Sequence, residues 1–113
     1  MCFESIRAAD IFRYQIHGKG ILVDVRAPEE YRNGHIPGAI NLPYSELKSR
    51  ISELKVMTGT PYPRKRVVPL ILYCNRGNTS LLAARDLLRE GFCIKNVLGG
   101  IQSYRGPLVK GCK

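Results

Sequence analysis

The residues best placed to do chemistry lie in "LILYCNRGNTSLLAARDLL", residues 70–88. An apolar, strand-like run ends at Cys74, a polar turn follows, and the apolar spacing then becomes that of a helix. A thiol at such a hinge lies beside backbone N–H groups that have no partner inside the helix. Those groups favour an anion, so they favour thiolate over thiol and make the sulfur a nucleophile. The turn "NRGN" is suited to closing around that sulfur, because Gly77 can take positive φ and Asn78 tolerates it better than most residues. Arg76 adds a full positive charge within the turn. The bland role for a free cysteine is that of a small buried hydrophobe; the polar run "NRGNTS" directly after it argues against that role here.

A cysteine protease would need a histidine partner, and the two in the chain, His17 and His35, both precede Cys74. His35 belongs to "NGHIPGAINLP", whose glycines and prolines already account for it as part of a shaped turn. Without an acid or base beside it, a thiolate suits reactions whose leaving group departs as a stable anion. Attack on a sulfur that carries sulfite is one such reaction.

The elements that must position Cys74 follow from pattern. "GILVDVR", residues 20–26, reads as a central strand. "SIRAADIFRYQI" before it suggests a short strand and a helix, and Ala39–Leu42 at most a short strand. A helix is expected over Tyr44–Lys55, with Leu47, Ile51 and Leu54 on one face and Ser45 as cap. "MTGTPYPRKR" is the expected flexible segment. "VVPLILY" is a strand with Pro69 near its start. "TSLLAARDLLREGF" is a helix with Leu81, Ala84, Leu87 and Leu88 inward, ended by Gly91. "IKNVLGG" is a last strand and "IQSYRG" a short terminal helix. Such alternation predicts an α/β fold, a parallel sheet with helices on both faces. Ligands of such sheets bind at the carboxyl ends of the strands, where Cys74 falls.

At 113 residues the chain is expected to form one domain over residues 1–113. No apolar run approaches the roughly 20 residues a membrane span needs, and "MCFESIRAAD" has an acid where a signal peptide would be basic and then apolar. A cytoplasmic location is the resulting expectation. Cys2, Cys74, Cys93 and Cys112 are spaced 72, 19 and 19 residues apart, with no Cys-x-x-Cys pair. Zinc ribbons and redox dithiols are thereby excluded, no metal or cofactor is expected, and the cysteines read as free thiols. Net charge is +9, unevenly spread: residues 44–66 carry six basic groups against two acidic, and residues 95–113 four against none. That excess suits an anionic small substrate. Nucleic-acid binding rests on charge alone, since no recognised motif accompanies it.

"LVDVRAPEEYRNGHIPGAINLP", residues 22–43, the loop "CNRGNTS" and the closing "LGGIQSYRG" closely resemble the single-domain rhodaneses. The resemblance covers nearly the whole chain. It implies a rhodanese-like sheet of about five parallel strands and a thiosulfate sulfurtransferase, in which Cys74 takes a sulfane sulfur from thiosulfate or another persulfide donor. The resulting persulfide is passed to cyanide, a thiol or a sulfur-relay protein. Asn75, Arg76, Gly77, Asn78 and Thr79 match the family's loop, whose backbone N–H groups hold the persulfide. Asp24, Arg26, Glu30 and His35 also match family positions and are assigned to holding turns. Tyr104 stands where many relatives have tryptophan, and "MTGTPYPRKRVVP" is longer than the usual link into the catalytic strand.

Two rival readings share the fold. Certain phosphatases and arsenate reductases place an arginine six residues after the cysteine, where this chain has Ser80, and Arg76 comes four residues too early. A non-catalytic rhodanese-like interaction module usually lacks the cysteine that this chain keeps.

Overall fold

Five short strands pair into a single parallel sheet in the computed structural model, which describes residues 2–16, 18, 20–58 and 68–111. In chain order they are β1 (Phe3–Ile6), β2 (Ile21–Asp24), β3 (Ile40–Asn41), β4 (Leu70–Tyr73) and β5 (Ile94–Val97), and across the sheet β1-β5-β4-β2-β3. β4 is the central strand, buried at every residue, so both of its faces need apolar cover. The α-helices are α1 (Ile11–Ile16), α2 (Pro28–Asn33), α3 (Ile51–Thr58) and α4 (Asn78–Arg89).

The alternation of side chains along β4 divides the core in two. Leu70 and Leu72 join Leu47, Leu54 of α3 and Ala83, Ala84 and Leu87 of α4 on one face. Ile71 and Tyr73 join Ile11 of α1, Tyr31 of α2 and Ile36 on the other. The expected α/β architecture with helices on both faces is therefore what forms. Pro69 lies immediately before β4, where its missing N–H interrupts no ladder bond, and Gly91 takes φ of 95° just after α4.

Three expectations are corrected. The helix expected over Tyr44–Lys55 is two 3-10 turns, Tyr44–Glu46 and Lys48–Arg50, followed by α3. The Tyr44 N–H donates to the Val25 carbonyl at 3.0 Å, which ties the chain to the sheet where a helix would have started, and Pro43, not Ser45, precedes the first turn. Leu81 is half exposed rather than inward, because the buried stripe of α4 runs through Ser80, Ala83, Ala84 and Leu87. Finally, Cys2 and Cys93 are not free thiols but form a disulfide. They precede β1 and β5, which pair in parallel with Phe3 opposite Ile94, so the two cysteines emerge side by side. Cys112, His17 and residues 59–67, which include most of the segment expected to be flexible, lie outside the described residues. Among the described residues, no helix is long and apolar enough to cross a membrane.

Candidate active site

Cys74 is the residue that follows β4, and it is buried. Gly77 N–H donates to its Sγ at 3.0 Å and Ser80 N–H at 3.3 Å. The second of these bonds explains the loop. Gly77 occupies the N-cap of α4 with φ of 107°, and having no side chain it leaves the first-turn amides without the usual capping oxygen. The Cys74 sulfur takes that oxygen's place for Ser80, three residues into the helix. The thiol lies 3.5 Å from Ser80 Oγ, and the Ser80 hydroxyl donates to the Gly77 carbonyl at 3.3 Å. Ser80 is fully buried, so this polar contact fixes the rotation of α4 that turns Leu81 outward.

The backbone of the loop is held from behind. Ile101 N–H donates to the Cys74 carbonyl at 2.8 Å and Gln102 N–H to the Asn75 carbonyl at 3.2 Å, both from the 3-10 turn Gly100–Ser103 after β5. This turn can approach so closely because Gly100 has no side chain: a β-carbon there would overlap the Cys74 and Asn75 carbonyl oxygens. The motif "LGG" thus positions the loop without contributing a functional group to it.

Above the sulfur is a cavity of about 370 Å³. Cys74, Asn75, Arg76, Asn78 and Thr79 line one side, so five of the six residues singled out from the sequence converge here. Gly77, the sixth, contributes its N–H to the sulfur. The other side comes from the chain leaving β2, through Val25, Arg26 and Ala27, and from Glu30 in the first turn of α2. Parallel pairing of Asp24 with Tyr73 brings the two strand ends together, and Val25 N–H donates to the Tyr73 carbonyl at 3.1 Å.

Arg26 and Glu30 do more than the turn-holding expected of them. Arg26 is clamped by the buried Asp24 carboxylate, 2.7 Å from Nη2 and 3.0 Å from Nε, and Nη2 also donates to the Gly34 carbonyl at 2.7 Å. Burial alone would lower the Arg26 guanidinium, but the hydrogen bonds and charge of Asp24 outweigh it and hold it above its ordinary value. Arg26 Nη1 reaches Asn75 Oδ1 at 3.4 Å, and Asn75 Nδ2 donates to Glu30 Oε2 at 2.8 Å. The Asn75 side chain is therefore strung between the two β2-side residues. Glu30 Oε1 also accepts the Ala27 N–H at 3.3 Å. The signal for these two residues is the strand order, which sets β2 beside β4; alternation of elements along the chain does not reveal it. His35 does keep to its structural role: Nδ1 lies 2.8 Å from the Tyr31 carbonyl and the ring stacks on Tyr31 at 3.7 Å.

The site is a cysteine-bearing loop between a central parallel strand and its helix, closed from behind by a Gly-Gly turn. The family model for the rhodanese-like domain matches residues 8–106, and the chain belongs to that family. The thiosulfate sulfurtransferase PspE of Escherichia coli is 37% identical over 89 residues, covering 79% of this chain and 78% of that protein. A tRNA sulfurtransferase of Desulfurococcus amylolyticus is 37% identical over 95 residues; the match covers 84% of this chain and spans only 17% of that longer protein. The crystal structure of a rhodanese-related protein from Thermoplasma volcanium superimposes with a TM-score of 0.78 at 32% identity, covering 96% of this chain and 99% of the other.

Proposed function

We propose that this chain is a sulfurtransferase that carries a sulfane sulfur on Cys74. The observation that carries the reading is the pair of backbone N–H groups, from Gly77 and Ser80, that donate to Cys74 Sγ at the floor of the cavity. They lie at the positive end of α4 and stabilise negative charge on sulfur before, during and after transfer. With thiosulfate as donor, the Cys74 thiolate attacks the outer sulfur. The Sγ–S bond forms, the bond to the sulfite sulfur breaks, and its electron pair leaves with sulfite. Cyanide or a thiol then attacks the outer sulfur of the persulfide and the electron pair returns to Sγ. Asn75, Arg76, Gly77, Asn78 and Thr79 form the substrate-binding loop, with Arg76 the exposed cation at its rim. Neither step needs a cofactor, and the donor and acceptor are both small enough to enter the cavity.

The phosphatase reading is disfavoured at one position. Where an oxyanion-clamping arginine would stand, Ser80 is buried and bonded to the sulfur.

The test is the intact mass of the protein after mixing with thiosulfate and removing the excess. A gain of one sulfur, mapped to Cys74 and discharged by cyanide, is the expected result. No gain under conditions where the folded protein is stable would sink the reading.

A further inference from the structure

Although the chain carries a net charge of +9, the charges at the cavity cancel. Arg26 and Arg76 line it, as does Glu30, and Asp24 lies directly behind Arg26. Two cations thus meet two anions. Arg26 is committed to Asp24 by its Nε and Nη2 hydrogen bonds, which leaves Arg76 and Glu30 as the charges a ligand meets. The two groups that donate to Glu30, the Ala27 N–H and the Asn75 amide, are neutral. They orient the carboxylate, Arg26 acts on it through its charge while its own Nε and Nη2 bonds go to Asp24, and each carboxylate oxygen keeps further acceptor capacity.

A carboxylate in the cavity wall works against a dianion such as thiosulfate, and it favours a donor that brings its own ammonium group. We propose that Glu30 selects the sulfur donor by charge, and that the donor class it favours is the hydropersulfide of an α-amino-acid thiol. The donor's carboxylate faces Arg76, its ammonium faces Glu30, and its outer sulfur faces Cys74. A cavity of about 370 Å³ has room for a molecule of that size. The proposal rests on the sulfurtransferase reading and narrows its donor. The step balances as a simple exchange: the Cys74 thiolate attacks the outer sulfur of R–S–SH, the Sγ–S bond forms as the S–S bond between the donor's two sulfurs breaks, and the electron pair leaves on the thiolate R–S⁻. Cys74 is left as the hydropersulfide, and no oxidant or reductant is consumed.

The experiment compares sulfur loading of Cys74, by intact mass over time, from thiosulfate, cysteine hydropersulfide and its N-acetylated form, in the parent and in Glu30→Gln. Glutamine keeps the amide contact to Asn75 within reach and removes only the charge. At low salt, Glu30→Gln should load about fivefold faster from thiosulfate and about threefold slower from cysteine hydropersulfide, and both changes should shrink in high salt. N-acetylation should slow the parent and leave Glu30→Gln nearly indifferent, while Glu30→Asp should keep the parent's order of donors. Equal changes for all three donors would mean that Glu30 acts only by holding Asn75, and would overturn the proposal while leaving sulfur transfer intact. A parent that loads Cys74 from none of the donors would overturn the sulfurtransferase reading itself and the proposal with it.

Discussion

Ile101 donates its backbone N–H to the carbonyl of Cys74 at 2.8 Å, so the 3-10 turn after β5 holds the residue that carries the candidate nucleophile. The contact is possible only because Gly100, one residue earlier, has φ of 60° and no β-carbon. Gly100→Ala must both adopt a left-handed backbone and push the loop carbonyls away. We expect a loss of about 3 kcal/mol of stability from these two effects together. Sulfur loading should fall further than stability does, because the displaced atoms are the backbone of the sulfur cradle. Denaturant midpoints and loading rates, measured on the fraction that folds, test both parts.

The Cys2–Cys93 disulfide should matter to stability and not to sulfur transfer. It joins residues 91 apart, so it restricts the unfolded chain strongly, and a loss of about 2–5 kcal/mol is expected for Cys2→Ser. Cys93 precedes β5, whereas Cys74 follows the parallel neighbouring strand β4, which sets the two at opposite ends of the strands. Cys74 loading in Cys2→Ser should therefore match the parent at temperatures where both are folded. A parent protein whose unfolding midpoint ignores reductant would count against the disulfide.

That disulfide marks a limit of what the sequence discloses. Cysteine spacing carries no sign of it, since the pairing depends on β1 lying beside β5 at the sheet edge. The inner strands β2 and β4 are legible, because their apolar runs and flanking glycine and proline act locally; so is Cys74 with its loop, whose polar turn interrupts an apolar strand and helix. Where partners come from other elements, local pattern is silent or misleads. Ser80 is polar and yet fully buried against the Cys74 sulfur, so hydrophobic spacing alone sets Leu81 on the wrong face of α4. Glu30 is expected from the sequence to hold a turn, and it accepts the Ala27 N–H; its bond to Asn75 needs the neighbouring strand.

Cys74→Ser is expected to abolish sulfur loading and leave the fold intact. Serine fits the space, and its hydroxyl can still accept the Gly77 and Ser80 N–H groups, but it forms no persulfide. Circular dichroism should overlay the parent, and intact mass should show no added sulfur. Substantial transfer by a cleanly purified Cys74→Ser protein would place the chemistry elsewhere.

Aryl phosphate hydrolysis should be indistinguishable from buffer. With serine six residues after the cysteine, nothing bidentate meets the equatorial oxygens of a phosphoryl group. Robust turnover that disappears in Cys74→Ser would move the protein to the phosphatase class despite the missing arginine.

Arg76 tests how far the loop's own charge governs an anionic donor. Thiosulfate is a dianion and its leaving group, sulfite, keeps that charge, so a cation at the rim favours both binding and departure. Arg76 is exposed, which puts its interaction on the solvent side and limits its size. We expect Arg76→Ala to lower kcat/KM for thiosulfate about fivefold at low ionic strength, with the loss shrinking as salt is added. The sulfur contacts themselves should survive, because the Gly77 and Ser80 N–H groups belong to the backbone. Cyanide-driven discharge of a preformed persulfide should also slow modestly, since cyanide is a monoanion drawn by the same charge. Steady-state kinetics at two ionic strengths decide the matter: equal efficiencies for Arg76→Ala and parent at low salt would assign the attraction of thiosulfate to the rest of the basic surface, and none of it to the loop.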